Sequence, residues 1–325
     1  MIKSYTAQKL LDDFMEERHA LGYSYKTDEG CIRQFLSNFV EPDDGIIEFT
    51  KQYVLDNTRR KLNQCNNTVL RDISAINCFL RFVQREGYKV YCVPPKSLPQ
   101  DSRNFRAYIF SEDEIQRILI AADSLTFSTQ SPNRHYQVPV MFRILFNCGL
   151  RISELRSLRV CDVDMDERVL IVLDTKFHKS RLVPFSNEVA EALETYFSRV
   201  EYEGQNDWLF PSPKATGKYT SSGQQLHFAM LLRLAGIPHG GRGKGPRLHD
   251  IRHTFAVHCL NNWVRLGVDL MTALPVLARY MGHSDFKGTQ KYLQLTAQMY
   301  PDIVSNMEEI FGALIPSLEV QHANI

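Results

Sequence analysis

The sequence predicts a mainly α protein with a small antiparallel β-sheet, divided into two domains. Residues 1–92 carry apolar side chains at helical spacing in four consecutive segments, which is typical of a small helical bundle. A proline-containing stretch at 93–104 then disfavours a helix and holds the chain extended as a linker. A short apolar run at 169–173, with a partner at 181–184, indicates two paired strands in an otherwise helical second half.

Each predicted helix of the first domain begins near a threonine that can cap it. A threonine hydroxyl accepts a hydrogen bond from the free backbone N–H groups of a first helical turn. Gly22 ends the first helix, Pro42 stops the second, and Gly87 ends the fourth. The third helix is predicted to run through Leu62. The four predicted caps are Thr6, Thr27, Thr50 and Thr68.

The second domain is expected at 105–296, followed by a C-terminal tail at 297–325. Its first helix opens with a capping box, in which Ser111 and Glu114 each bond the backbone N–H of the other. A second helix is predicted at about 138–148. The remaining predicted helices are at about 187–203, 223–236, 248–266, 269–281, 286–293 and 297–314.

Composition argues against several classes of protein. No apolar run is long enough to span a membrane, and the first residues lack the apolar core of a secretion signal. The seven cysteines show no Cys-x-x-Cys spacing, so they are interpreted as reduced thiols of a cytoplasmic protein. Neither a metal site nor a cofactor is expected from these spacings.

The net charge of +1 does not by itself indicate a nucleic-acid-binding protein, because 38 basic and 37 acidic residues nearly cancel. The charges are unevenly distributed, however. Four basic residues lie close together in a glycine-rich segment, namely Arg242, Lys244, Arg247 and Arg252, and only Asp250 opposes them. This segment predicts a local basic surface that binds phosphate groups in a salt-sensitive way.

Arg151 follows a Gly-Leu pair at the end of an apolar helix. The ordinary interpretation is a surface arginine that interacts favourably with the negative end of that helix. The functional interpretation is a phosphate ligand, because the planar guanidinium donates two parallel hydrogen bonds. Glu154 lies three residues further on, so it can hold the guanidinium in place if the helix continues.

His249 and Arg252 are three residues apart in a segment with helical apolar spacing, so both side chains are predicted on one face. His253 lies four residues after His249, which is also the spacing of a metal-binding pair. A zinc protease motif would need glutamate directly after the first histidine, and Asp250 stands there instead. We therefore interpret His253 as a packing or hydrogen-bonding residue.

Three further residues have both an ordinary and a functional interpretation. Lys176 and Lys179 lie around the polar turn between the two strands, where lysines are usually solvated. A lysine ammonium can also give a proton to a leaving alkoxide, which arginine cannot do easily. Tyr292 is one of 14 tyrosines, and a single tyrosine on a helix is usually a core residue. Its position nine residues after His283, in a segment following Gly282, favours a functional role.

Together these motifs resemble the tyrosine recombinase family, also called the phage integrase family, and within it the Xer-like members. The resemblance extends over most of residues 107–295 and keeps the order Arg, Lys, His-x-x-Arg, Gly-His, Tyr. Segment 248–256, Leu-His-Asp-Ile-Arg-His-Thr-Phe-Ala, is similar to the family's most recognisable box. Segments 281–285, Met-Gly-His-Ser-Asp, and 289–292, Thr-Gln-Lys-Tyr, are similar to its nucleophile box. Each motif alone is weak evidence for the family, whereas the complete set in this order is specific to it.

The resemblance implies a helical, SAM-like core-binding domain followed by a catalytic domain with the DNA breaking–rejoining fold. It also implies a site-specific recombinase that cleaves and rejoins double-stranded DNA through a 3′-phosphotyrosine, without metal or ATP. The implied catalytic residues are Arg151, Lys176, His249, Arg252, His283 and Tyr292, supported by Glu154. The implied DNA-binding residues are Lys179, Arg181, Arg242, Lys244 and Arg247.

The resemblance also gives each candidate a role. Tyr292 is the expected nucleophile, and Lys176 is expected to protonate the leaving oxygen. The two arginines are expected to clamp the phosphate oxygens. His249 is expected to assist proton transfer, and His283 to donate a hydrogen bond to the phosphate. The expected partners are DNA and further copies of the chain, as a homotetramer in a synaptic complex in which the C-terminal tail docks in trans.

Two departures from the family pattern leave alternatives open. Additional residues around 263–275 precede His283, which favours a role in moving a mobile element over Xer-type resolution. Phe177 and His178 replace the usual glycine-rich turn, so Lys176 and Lys179 both remain candidates for the catalytic lysine. The alternative functions are a type IB topoisomerase-like enzyme that relaxes DNA and a non-catalytic DNA-binding accessory protein.

Overall fold

The computed structural model describes residues 6–23, 25–42, 46–62, 64–94, 107–174, 179–212, 217–241, 245–282 and 292. The chain divides into two compact units, Met1–Phe105 and Arg106–Ile325. Each unit has a hydrophobic core of its own. No helix among the described residues is long and apolar enough to cross a membrane.

Four helices are described in the first unit. They are α1 (Ala7–Ala20), α2 (Lys26–Leu36), α3 (Lys51–Thr58) and α4 (Asn66–Arg85). Two of the predicted threonine caps are confirmed, because Thr6 and Thr50 each accept a hydrogen bond from the backbone N–H three residues on. The predicted stops at Gly22 and Gly87 are also confirmed, since both glycines follow their helices with positive φ.

The other two predicted caps are wrong. α2 begins one residue before Thr27, behind Tyr25, which has a positive φ of 42°. α4 begins two residues before Thr68, behind Cys65. Both threonines therefore lie inside a first turn. The apolar spacing does not determine a helix start to within one or two residues, and a threonine fits a first turn as well as a cap.

The connections of the first unit also differ from the prediction. α3 ends at Thr58, and Leu62 is 95% exposed, so the predicted helix was too long. Two short strands, β1 (Glu48–Phe49) and β2 (Lys89–Val90), pair in parallel. They were not predicted, because two residues are too few to show the alternation of a strand.

Seven α-helices are described in the second unit. They are α5 (Glu112–Asp123), α6 (Arg134–Cys148), α7 (Ile152–Leu155), α8 (Asn187–Phe197), α9 (Ser221–Leu234), α10 (Asp250–Arg265) and α11 (Leu270–Met281). The capping box of Ser111 and Glu114 is confirmed. α6 begins four residues earlier than predicted and contains Pro139 in its interior. The predicted helices at 286–293 and 297–314 lie outside the described residues, except for Tyr292, which is helical.

The sheet of the second unit has three described antiparallel strands, β3 (Val163–Asp164), β4 (Val169–Asp174) and β5 (Lys179–Pro184), in that order. The pairing of the two predicted strands is confirmed, and β3 extends the sheet by one short strand. Arg181 lies opposite Val172, which is 1% exposed. Side chains on directly paired residues share one face, so Arg181 belongs to the buried face of the hairpin.

α6 is central to the second unit, where it packs against α5, α8 and α10. α11 in turn packs against α10 and β5. These contacts bring the carboxyl ends of α6 and α11, the start of α10 and the buried face of β5 to one place. All the described candidate catalytic residues lie there.

Candidate active site

Gly149 turns the chain from the end of α6 towards Arg151. It has the left-handed backbone conformation, with φ of 57°. A Cβ at this position would lie 2.3 Å from the ring of Phe255 on α10, so a side chain is excluded. The close approach of the backbone to α10 therefore depends on glycine, and it places Arg151 beside the start of that helix.

Arg151 is the N-cap residue of α7, and Glu154 holds it in place. The carboxylate accepts hydrogen bonds from the backbone N–H of Arg151 at 2.8 Å and from its Nη1 at 2.7 Å. α6 ends at Cys148, so the helix does not continue through these residues as the predicted role of Glu154 required. Glu154 instead reaches back from the third position of a new short helix.

Arg252 is a buried cation, with only 3% of its surface exposed. Its Nη1 donates to the carbonyl of Gly149 at 2.7 Å, and its Nη2 donates to the carbonyl of Met281. Burial lowers the pKa of Arg252 to about 10, while the nearby Tyr292 opposes this shift. The guanidinium is therefore still charged at neutral pH, and two carbonyl oxygens fix its orientation.

Three consecutive carbonyls at the carboxyl end of α11 each accept a hydrogen bond from a different arginine. The pairs are Arg181 Nε with Tyr280 at 2.8 Å, Arg252 Nη2 with Met281, and Arg151 Nη2 with Gly282 at 2.6 Å. The last carbonyls of a helix lack partners within it and carry the negative end of its dipole. These arginines, here called the arginine clamp, complete that helix end and fix the chain directly before His283.

Glu154 lies at the centre of the arginine clamp. Arg181 donates to both carboxylate oxygens, from Nη1 to Oε1 at 3.0 Å and from Nη2 to Oε2 at 2.9 Å. Burial alone would raise the pKa of Glu154, but hydrogen bonds and charge from Arg181, and then from Arg151, hold it below its ordinary value. The carboxylate is therefore ionised, and the arginine clamp with Glu154 carries a net charge of +2.

Gly282 brings its backbone against the arginine clamp. Its φ is 68°, and a Cβ there would lie 2.9 Å from Nη1 of Arg181 and 3.3 Å from Nη1 of Arg151. Both the backbone conformation and the available space therefore favour glycine.

His249 directly precedes α10 and is exposed at the surface. Even so, protein packed around its ring lowers the pKa of His249, and the charge of Arg252 lowers it further. Asp250 opposes this shift, but its buried carboxylate is paired with Arg247, with 3.0 Å between Oδ1 and Nη2. The imidazole is therefore neutral at pH 7 and able to accept a proton.

Three aromatic rings form a row that ends at Tyr292. The ring centroids of His249 and His253 are 4.9 Å apart, and those of His253 and Tyr292 are 5.5 Å apart. Tyr292 is 3% exposed and packs in a cluster with residues such as Leu260. Burial raises the pKa of Tyr292, whereas hydrogen bonding and charge from Arg252 lower it. The phenol is therefore protonated at neutral pH, and it needs a base to react.

Several predicted site residues come together in the second unit, and others lie outside the described residues. Those that come together are Arg151, Glu154, His249, Arg252 and Tyr292. Those outside the described residues are Lys176, Arg242, Lys244 and His283. Lys179 is the first residue of β5, and Arg247 pairs with Asp250.

The place of Arg181 was not anticipated. The family resemblance implied that it binds DNA, whereas its guanidinium is bonded to Glu154 and to the carbonyl of Tyr280. Strand alternation was the available signal. Arg181 is two residues before Val183, which is fully buried, and residues two apart on a strand share a face. His253 was expected to pack or to form hydrogen bonds, and its position between the rings of His249 and Tyr292 was not predicted.

The described residues contain no group of three or more His, Cys, Asp and Glu side chains that could hold a metal ion. The polar side chains that come together at the candidate site are guanidiniums, imidazoles, the carboxylate of Glu154 and the phenol of Tyr292. Such a set suits an anionic substrate that is attacked by the phenol oxygen.

The fold and this site define the class of the tyrosine recombinases, in which a phenol and a set of basic side chains act on a DNA phosphate. The model of the Phage integrase family matches residues 109–299. The chain therefore belongs to the phage integrase family, and the prediction from its motifs is confirmed. As a member, it is a site-specific recombinase, an enzyme that transfers DNA strands.

Relatives with known names support this assignment over most of the chain. The putative integrase/recombinase y4rB of Sinorhizobium fredii is 28% identical over 93% of this chain and 97% of its own length. The tyrosine recombinase XerD of Caulobacter vibrioides is 30% identical over 86% of this chain and 88% of its own length. These relatives give no support to a topoisomerase or to a non-catalytic accessory protein.

Solved structures match the fold. The Tn1549 transposon integrase in complex with circular intermediate DNA has a TM-score of 0.62 and 18% identity, over 93% of this chain and 98% of that one. XerH site-specific recombinase bound to a palindromic difH substrate has a TM-score of 0.60 and 16% identity, over 87% of this chain and 79% of that one. The predicted fold class is thereby confirmed.

Proposed function

We propose that Tyr292 cleaves one DNA strand by attacking a phosphodiester, forming a 3′-phosphotyrosine and releasing a 5′-hydroxyl. The observation that carries this proposal is the position of Tyr292, which is in contact with His253 and interacts with Arg252. Covalent catalysis divides one difficult displacement into two easier steps. Rejoining then needs no ATP, because the phosphotyrosine bond conserves the energy of the phosphodiester.

The charge of the site matches the charge of this reaction. A phosphodiester carries one negative charge, and attack by a phenol that loses its proton adds a second. The arginine clamp with Glu154 carries a net charge of +2. It therefore balances the two negative charges of the transition state better than the single negative charge of the substrate. Fixed charges aimed at charge that develops during a reaction are usually the largest contribution to catalysis. Arg151 and Arg252 bind the two non-bridging oxygens.

Proton transfer accompanies the exchange of bonds. The phenol oxygen of Tyr292 bonds to phosphorus, and its proton passes to the neutral imidazole of His249. The bond between phosphorus and the 5′ oxygen breaks, and the leaving oxygen takes a proton from Lys176. His283 donates a hydrogen bond to the phosphate. Attack by the 5′-hydroxyl of another strand reverses these steps and frees Tyr292.

The substrate is double-stranded DNA, and the active assembly is a homotetramer in a synaptic complex. The first unit acts as the core-site-binding domain, and basic side chains at Lys179, Arg242, Lys244 and Arg247 contact phosphates. The protein acts in the cytoplasm. Support comes from the solved relatives, among them a transposon integrase and a Xer recombinase that are both bound to DNA.

The C-terminal tail docks on the next subunit of that assembly. Its apolar positions, such as Phe311 and Leu314, recur at helical spacing beyond the catalytic residues. A contact of this head-to-tail kind closes a ring. Truncation after Thr296 should therefore reduce synapsis, measured by native gel electrophoresis with paired sites, more than it reduces binding to a single site.

The biological role is movement of a mobile element. The additional residues before His283 lie around the end of α10 and the start of α11, and the named relatives include putative integrase/recombinases. Chromosome dimer resolution is the second candidate, which the XerD relatives favour. Joining of the ends of the element that carries the gene would support the first role. Recombination only between repeated chromosomal sites would support the second.

A nicked suicide substrate, which traps the covalent intermediate because the released fragment diffuses away, tests the proposed chemistry. The unmodified protein should form a DNA adduct that survives denaturing gels. Tyr292→Phe should bind the same DNA without forming the adduct. Tyr202→Phe is the matched control, since the Tyr202 hydroxyl donates to the carbonyl of Leu209 outside the candidate site and its loss should leave the adduct intact. An adduct with Tyr292→Phe, or none with the unmodified protein, contradicts the proposal.

A further inference from the structure

Arg181 connects three separate parts of the second unit. It lies on β5, the strand that begins three residues after Lys176. Its guanidinium bonds Glu154 on α7 and the carbonyl of Tyr280 near the end of α11. Its side chain is only 14% exposed. These contacts all join the guanidinium to other elements of the candidate active site.

The bidentate pair with Glu154 affects the charge of Arg151. Glu154 contacts both arginines, with 2.7 Å from its Oε1 to Nη1 of Arg151 and 2.9 Å from its Oε2 to Nη2 of Arg181. While Arg181 balances the carboxylate, the charge of Arg151 remains effective on a bound phosphate. Without Arg181, the carboxylate would neutralise Arg151 instead. Arg181 also does most to keep Glu154 ionised, because its hydrogen bonds and charge oppose the burial of the carboxylate.

The contact with Tyr280 affects geometry rather than charge. Arg181 and Arg151 hold carbonyls two residues apart at the same helix end, Tyr280 and Gly282. The hairpin of β4 and β5 is thereby held against the backbone that leads to His283. A misplacement of about 1 Å in such a framework is enough to lower a reaction rate about 10²-fold.

We propose that Arg181 is a positioning residue for DNA cleavage, which fixes Arg151 through Glu154 and anchors the β4–β5 hairpin to the carboxyl end of α11. The inference rests on the proposed function, because it concerns the same cleavage reaction. It replaces direct DNA contact as the role of Arg181. A side chain that contacts only a DNA phosphate away from the cleaved bond would act on affinity, whereas a positioning residue acts on the rate once DNA is bound.

The test measures single-turnover cleavage of the nicked substrate at saturating DNA, together with DNA affinity across a range of salt concentrations. Arg181→Met should lower the cleavage rate about 10²-fold, with DNA affinity and its salt dependence unchanged. Arg181→Lys should recover part of the rate, since it restores the charge without the two-pronged geometry. Arg143→Met is the matched control, because Arg143 is a similarly buried arginine in a bidentate pair with Asp123. That control should cleave at the unmodified rate.

A double-mutant cycle tests the route through Glu154. If Arg181 acts by balancing that carboxylate, the double variant Arg181→Met with Glu154→Gln should lower the logarithm of the cleavage rate by less than the sum of the two single changes. Additive losses overturn the route. Weaker DNA binding, with a salt slope reduced by about one and an unchanged saturated rate, overturns the positioning role in favour of a phosphate contact. Cleavage by the unmodified protein together with normal cleavage by Arg181→Met overturns this inference alone, whereas no adduct with the unmodified protein overturns the proposed function.

Discussion

Arg151 donates a hydrogen bond from Nη2 to the carbonyl of Gly282 at 2.6 Å, across 131 residues of chain. This bond links a candidate phosphate ligand to the residue directly before His283. The segment that carries Tyr292 therefore starts from a point held by the same arginines that are proposed to bind the substrate. Phosphate binding and placement of the nucleophile are expected to depend on each other.

Gly282→Ala should strongly reduce cleavage. A Cβ would meet Nη1 of Arg181 at 2.9 Å and would strain a backbone with φ of 68°. Gly267→Ala is a close control, because Gly267 has φ of 69° and nothing within 4 Å of its Cβ position. In both variants, backbone strain at positive φ should lower the free energy of unfolding by about 1–2 kcal/mol. Equal loss of cleavage in the two variants, measured with the suicide substrate, would show that strain alone is responsible.

Glu154→Gln should destabilise the second unit in a pH-dependent way. Removing one partner of a buried ion pair costs about 3–5 kcal/mol at neutral pH. The folded-state pKa of Glu154 lies below its ordinary value of 4.5, so its stabilisation is complete above that value and is lost as pH falls through the folded pKa. Thermal unfolding from about pH 7 to about pH 3 should show the two proteins converging at the acid end. A difference that is constant with pH would contradict the ionised carboxylate.

Much of the site could be predicted from local patterns. His249 and Arg252 belong to one helical segment, and their closeness follows from a spacing of three residues. Leu248 and Ile251 are among the apolar residues of that segment, and both are buried. The capping box at Ser111 was equally local. Such features depend on residues a few positions apart, so the repeat of a helix is enough to find them.

The arginine clamp could not be predicted in this way. Its bonds to the end of α11 join residues 99, 29 and 131 positions apart, and no local pattern contains them. The two-residue strands β1 and β2 were missed because they are too short to show a period. Thr27 and Thr68 were mistaken for caps, because a threonine is compatible with several positions of a first helical turn and the sequence does not distinguish them.

His249→Asn should remove one limb of the pH dependence of cleavage. The pKa of His249 is lowered from its ordinary value of 6.5, so the neutral form persists below that pH and the rate falls only as the pH drops through the lowered value. Loss of a positioned base should cost about 10²-fold or more. His258→Asn is the control, since His258 lies on the same helix and burial lowers its pKa too. If the acid limb survives in His249→Asn, another group titrates.

Cleavage should be unaffected by EDTA. The arginine clamp supplies the fixed positive charge that metal ions supply in many phosphoryl transfers. The measurement compares the rate of adduct formation with and without the chelator, and then after magnesium is added back. A large loss that magnesium restores would show that the guanidiniums are not sufficient.

Mapping the covalent attachment site is the most direct test of the central claim that Tyr292 is the nucleophile. After the suicide reaction and trimming of the DNA, trypsin should release a peptide that begins at Tyr292, because trypsin cleaves after Lys291 and no lysine or arginine separates Tyr292 from Tyr300. The same peptide contains Tyr300, so fragmentation by mass spectrometry must distinguish the two. A nucleotide on Tyr292 is the predicted result. A nucleotide on Tyr300, or on any other residue, would contradict the account.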